Sequence, residues 1–145
     1  MENRFKGEMS RRRARECALQ ALYQQEFHPD QQEEVIRERA NDLTGEYQDF
    51  YLQLMRGIGQ HLTEIDATIE RYLKKGWSVG RLATLDRAML RLAVYELLFE
   101  RETPKGVVLN EAVEISKQYS GEESSRFING VLGSVAKGLE QNEKN

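Results

Sequence analysis

Residues 10–23 run Ser-Arg-Arg-Arg-Ala-Arg-Glu-Cys-Ala-Leu-Gln-Ala-Leu-Tyr, setting four arginines (Arg11, Arg12, Arg13 and Arg15) directly ahead of a stripe of apolar residues. A guanidinium is always charged and offers a planar fork of donors that matches phosphate. Six basic residues, Arg4 and Lys6 among them, against two acidic ones leave the first fifteen positions at +4. The whole chain is −3, so the remainder carries −7. A positive end on a negative body is an electrostatic footprint for a polyanion, nucleic acid being the commonest. The same cluster could also be a solvated arm that aids solubility. What separates the two is direction, because these arginines fall on a predicted helix that fixes where each one points.

Other chemistry is poorly supplied. His28 and His61 stand far apart, outside any metal-ligand spacing with Cys17 or with carboxylates. No Walker or Rossmann glycine loop is present. Gly57-Ile58-Gly59 lies within a helical pattern and lacks both a third glycine and a preceding strand. Cys17 falls on an apolar stripe, as a small hydrophobe does. Glu96 and Glu100, one turn apart, read as a solvated helix face. The residue types therefore point to binding rather than catalysis, with no metal and no cofactor expected.

The elements that must position these groups are helices. At 145 residues and 39% hydrophobic, the chain is expected to form one domain with a real core. It has no apolar run of transmembrane length and no signal-like start, and its single cysteine allows no internal disulfide; a cytoplasmic protein is expected. An all-α fold follows from the periodicity. Ser10 caps a first helix running to Phe27, with Ala14, Cys17, Ala18, Ala21 and Leu22 inward and Arg12, Glu16, Gln20 and Tyr23 outward, Leu19 beside them. Asp30 caps a second through Ala40. A third spans Glu46 to Leu62, and Thr63 caps a fourth through Lys75. Gly76-Trp77-Ser78-Val79-Gly80 is the clearest internal boundary, dividing the chain into subdomains 1–76 and 77–140, with Trp77 expected as a plug in the core. A fifth helix, Leu82 to Arg101, is apolar on two sides and so should be central. A sixth covers Val108 to Tyr119, and a seventh runs from Glu123 to Leu139 ahead of a frayed polar tail. Gly130 and Gly133, inside the seventh, suggest close helix contact or a special backbone role.

Three stretches taken together resemble the NusB family of bacterial transcription antitermination factors. They are Arg11 to Tyr23; Asp86-Arg-Ala-Met-Leu-Arg-Leu-Ala-Val-Tyr-Glu-Leu97, preceded by Trp77 and Arg81; and Asn110-Glu-Ala-Val-Glu-Ile-Ser-Lys117, followed by Arg126-Phe-Ile-Asn-Gly-Val-Leu132. Their order and spacing span nearly the whole chain, with residues 28–50 matching least. The resemblance implies about seven helices in two three-helix bundles packed across one another. It also implies binding to the single-stranded boxA element of ribosomal RNA leaders together with NusE, a ribosomal protein that doubles as an elongation factor. Other Nus factors and RNA polymerase would join indirectly.

Carried over by position, Arg11, Arg12, Arg13, Arg15, Gln20 and Tyr23, with Arg126 and Phe127, would form the RNA surface. Tyr23, Asp86 and Arg91 would face NusE. Arginines on phosphates and aromatics on unpaired bases are what single-stranded RNA recognition requires. Read from the residues alone, Tyr23 could equally edge the core, Phe127 could lie in it, and Asp86 could simply favour a helix start. Asn110 and Asn129 read as caps or inter-helix hydrogen bonds. The alternative function is a helical interaction module or homodimer without specific RNA binding.

Overall fold

The computed structural model describes residues 9–144, with side chains through Glu143; Arg4 and Lys6 of the basic end lie outside the described residues. Among those residues there are seven α-helices and no strand. They are α1 (Arg11–Phe27), α2 (Gln32–Ala40), α3 (Gly45–Gln60), α4 (Leu62–Arg71), α5 (Thr84–Phe99), α6 (Lys105–Ser120) and α7 (Glu122–Lys144), with short 3-10 turns at Pro29–Gln31 and Val79–Arg81. α1 packs with α2 and α3, while α5 packs with α6 and α7. α1 also lies against α5, which joins the two groups.

Local chemistry accounts for most boundaries. Ser10 is extended (φ −164°, ψ 170°), and its Oγ accepts the Arg13 amide hydrogen at 3.1 Å, satisfying a donor that the first turn leaves orphaned. Ala14, Cys17, Ala18 and Ala21 are buried, small enough for neighbouring helices to approach closely. Leu19, expected beside the outward face, is buried too, because α1 is wrapped on three sides by α2, α3 and α5. Burial pushes the Cys17 thiol upward, so it stays protonated in the core.

Several boundaries differ from the expectation. Asp30 does not cap α2; Pro29 fixes a 3-10 turn there, and no side chain caps the helix. Thr63 lies within α4, which starts after His61 and ends at Arg71. The polar tail is helical through Lys144, its outer turns held by Glu143, which pairs with Arg101 at 3.6 Å and Lys105 at 3.4 Å.

α5 is central as expected, packing against α1, α3, α4, α6 and α7 with Leu90, Leu92 and Val94 fully buried. Glu96 on the same helix is not on a solvated face; it is buried and paired with Arg15. The close approaches occur at glycines other than those expected. A Cβ on Gly57 would strike the Tyr95 ring, and one on Gly138 the Tyr72 hydroxyl, whereas Gly130 and Gly133 face open space. Asn110 and Asn129 are exposed and make no cap or inter-helix hydrogen bond.

Candidate nucleic-acid and partner interface

Of the arginine run on the first turns of α1, Arg11, Arg12 and Arg15 line one cleft, but they differ in exposure and in partners. Arg11 is exposed, its guanidinium 4.2 Å from the centroid of the Phe50 ring. Arg12 donates to both Glu111 oxygens on α6, at 3.0 and 2.6 Å, with its side chain 41% exposed. That hydrogen bond raises the affinity of Arg12 for its proton and holds the Glu111 carboxyl below its ordinary range. Arg13 is half-buried, 3.8 Å from Glu16 one turn along. Arg15 corrects the expectation of a surface cation. It is buried and donates to Glu96 at 2.7 and 2.9 Å, with Glu111 3.7 Å away, so its charge is taken up inside the fold and only its edge reaches the cleft that Arg11 and Arg12 line. Arg11 and Arg12 line a cleft of about 1020 Å³ whose walls also carry Glu46, Asp49, Glu100 and Glu102. The local field there is mixed in sign, more than the net charge of the segment suggests.

Further along α1, Gln20 is half-buried and donates to the Tyr119 hydroxyl at 2.8 Å. Tyr119 lies at the end of α6, and Gly121 (φ 102°) turns the chain directly into α7, whose second turn carries Arg126 and Phe127. Tyr23 is 40% exposed and leans on Phe27, which is 60% exposed, with ring centroids 5.1 Å apart. Phe27 is not among the residues expected from sequence, although it lies one turn after Tyr23 on the same helix face, just ahead of Pro29.

The proposed partner side is an ion network. Arg91 on α5 donates to both Asp66 oxygens at 2.9 Å and to Glu26 at 3.3 Å. Arg87 donates to Glu26 at 2.9 and 3.3 Å and to the carbonyl oxygens of Leu82 (2.8 Å) and Val79 (3.2 Å). The Arg87 hydrogen bond, ahead of the other effects, holds the Glu26 carboxyl low. The end of α1 is thereby tied to α5 beside Tyr23, and Arg91 already has partners within the chain. Glu26, Asp66 and Arg87 are likewise unexpected; nothing in their spacing marks them, since the pairing spans three helices.

Asp86 is half-buried and lines a groove of about 710 Å³ that also contains Arg126 and Phe127. Arg126 is exposed, and Phe127 is 36% exposed rather than in the core. Trp77, expected as a core plug, stands in the same groove at 53% exposure. The loop leaving Gly76 (φ 91°) keeps Trp77 outside, and Val79 takes the buried position. The structure therefore brings Asp86 together with Arg126 and Phe127, and Arg11 with Arg12 and the edge of Arg15, in two separate depressions. Among the described residues, no group of three or more histidine, cysteine or acidic side chains could hold a metal ion, and no helix is long and apolar enough to cross a membrane.

Comparison with known proteins agrees across the chain. The transcription antitermination protein NusB of Acetivibrio thermocellus is 44% identical over 131 residues, 89% of this chain and 90% of its own length. The solved NusB of T. maritima superposes with a TM-score of 0.83 at 42% identity, over 89% of this chain and 92% of that one. A crystal structure of the antitermination factors NusB and NusE in complex with dsRNA matches with a TM-score of 0.80 at 30% identity, over 88% of this chain and 96% of that one. The NusB family model matches residues 12–137, and the chain belongs to the NusB family.

Proposed function

We propose that this chain is an RNA-binding transcription antitermination factor that recognises boxA-type RNA together with NusE and joins the antitermination complex on ribosomal RNA operons. It works in the cytoplasm as a binding protein, with no catalytic step assigned to it. The observation that carries the reading is the match, over nearly the full chain, to a NusB that was solved with NusE and RNA. The surface chemistry supports it. Arg11, Arg12 and Arg13 at one end, Gln20 and Tyr23 along α1, and Arg126 with Phe127 on α7 supply cations for phosphates and rings for bases. Arg15 is kept apart from this set because Glu96 and Glu111 take up its buried charge. Tyr23, Asp86 and Arg91 form the NusE side, with the Glu26 network keeping α1 and α5 in fixed relation.

The test is a titration of a short boxA-type RNA, single-stranded and as a duplex, at several salt concentrations with and without NusE. Removing the cation from one phosphate should lower the slope of log K against log salt by roughly 0.7 for a single strand. Replacing Arg12 and Arg13 together by alanine is expected to weaken binding and flatten that slope. Unchanged affinity and slope in a folded double variant would return the run to a solubility role and favour a helical interaction module.

A further inference from the structure

The groove between the α4–α5 connection and α7 carries, beside Asp86, Arg126 and Phe127, a ring that the reading above gives no role. Two large exposed rings, Trp77 and Phe127, line it, one from the connecting loop and one from α7. Trp77, at 53% exposure, is the largest of the exposed apolar side chains, and with Phe127 it puts two exposed rings in one groove. Its ring is partly organised already. Arg81 donates to the Gly76 carbonyl at 2.7 Å, and its guanidinium stands 5.5 Å from the Trp77 centroid, bracing the loop on which the ring sits. Lys74 and Arg126 add two more cations to the groove lining.

Rings for stacking with cations at the margin are the combination that binds unpaired bases. The groove volume, about 710 Å³, falls in the roughly 300–1,000 Å³ range of pockets that enclose a small ligand, so room for a base is not a constraint. Asp86 and Glu123 also line the groove.

We propose that the groove is a base-binding subsite in which Trp77 is a second stacking platform, continuing the RNA path from Arg126 and Phe127 toward the α4–α5 connection. This rests on the RNA-binding reading above, and the experiment separates the two. Trp77 is the only tryptophan, so its emission reports the groove alone, while the anisotropy of a labelled RNA reports binding anywhere on the protein.

The probe is a labelled single-stranded boxA-type RNA added to the full chain, alone and with NusE. Trp77 emission is expected to be quenched in step with the anisotropy rise. Trp77→Ala should weaken RNA binding roughly 5- to 150-fold, the range for losing one stacked base, with the salt slope kept, and Trp77→Phe should restore most of the affinity. An anisotropy rise with unchanged emission, and undiminished RNA affinity in Trp77→Ala, would overturn the subsite while leaving the RNA reading intact. Loss of NusE binding in Trp77→Ala with RNA affinity unchanged would overturn it in favour of a protein-docking groove. Absence of any anisotropy change would remove the RNA reading and the subsite with it.

Discussion

Arg15 and Glu96 meet in the middle of the molecule as a guanidinium and a carboxylate joined at two points, 2.7 and 2.9 Å apart, with side chains only 4% and 2% exposed. The pair ties α1 to the central helix α5. Through Glu111, which lies 3.7 Å from Arg15 and accepts from Arg12, it also connects the core to the first turn's surface arginines. Both charges lose hydration on folding, so the intact pair adds little net stability over an apolar replacement, while a lone member would be left uncompensated in the core.

Removing one member should therefore be costly. Glu96→Ala leaves a buried guanidinium without its carboxylate and is expected to destabilise the fold by about 3–5 kcal/mol. Replacing both residues together, Arg15→Met with Glu96→Leu, should recover most of that loss. Urea unfolding of the parent chain and both variants checks this; a double variant as unstable as the single one would mean that the pair has a role beyond neutralising buried charge.

Leu92 on the same helix is fully buried among apolar neighbours. Leu92→Ala should cost about 2–5 kcal/mol through the missing transfer energy and the cavity left behind. A loss under about 1 kcal/mol would contradict the central placement of α5.

Acid stability follows from Glu26 and Glu111, both held below their ordinary value of 4.5, first of all by hydrogen bonds from Arg87 and Arg12 respectively. A depressed carboxyl binds its proton less readily in the folded state than in the unfolded one. Its contribution is therefore fully present above 4.5 and disappears as pH falls through the lower folded value. Thermal unfolding followed from pH 7 down to pH values below about 4 should show this decline. Glu111→Gln should be less stable at neutral pH and should lose less on acidification, because the titrating group is gone.

How much of this is legible in the sequence depends on the range of the interaction. Ser10 as a cap, the stripe from Ala14 to Ala21 and the two-sided α5 are local patterns, and each helix forms close to where its periodicity places it. Arg15, Glu96 and Trp77 depart from expectation because a helical wheel shows which residues share a face but not which faces become covered. Arg15 and Glu96 lie 81 positions apart and are buried only because α1 and α5 cross there. Trp77 sits on a loop, where periodicity says nothing, and its size alone suggests burial. The glycines illustrate the same limit: Gly57 and Gly133 both sit within continuous helices, and only the Tyr95 ring distinguishes them.

That distinction gives opposite expected signs. Gly57→Ala should destabilise by about 1–3 kcal/mol, because the added methyl meets an aromatic ring packed in place. Gly133→Ala, with open space around its Cβ, should stabilise by up to about 1 kcal/mol through helix propensity. Denaturant midpoints for the two variants, measured side by side, decide the matter, and equal signs would contradict this packing.

The last prediction concerns Asp86, which shares its groove with Arg126 and Phe127. The proposed NusE and RNA surfaces would therefore meet at this groove, and a charge reversal at this one position should act on the two ligands in opposite directions. Asp86→Lys removes a carboxylate from the proposed NusE face and should weaken NusE most. The same change adds a cation beside Arg126, so RNA binding by the chain alone should hold or tighten, with a steeper salt dependence by roughly 0.7 for one more neutralised phosphate. Asp86 is half-buried, in the first turn of α5, where a carboxylate favours the helix dipole, so a stability measurement must accompany the binding data. A folded Asp86→Lys protein with unchanged NusE affinity would remove α5 from the partner face. One that failed to bind both RNA and NusE would mean that the two ligands use a single surface rather than adjacent ones.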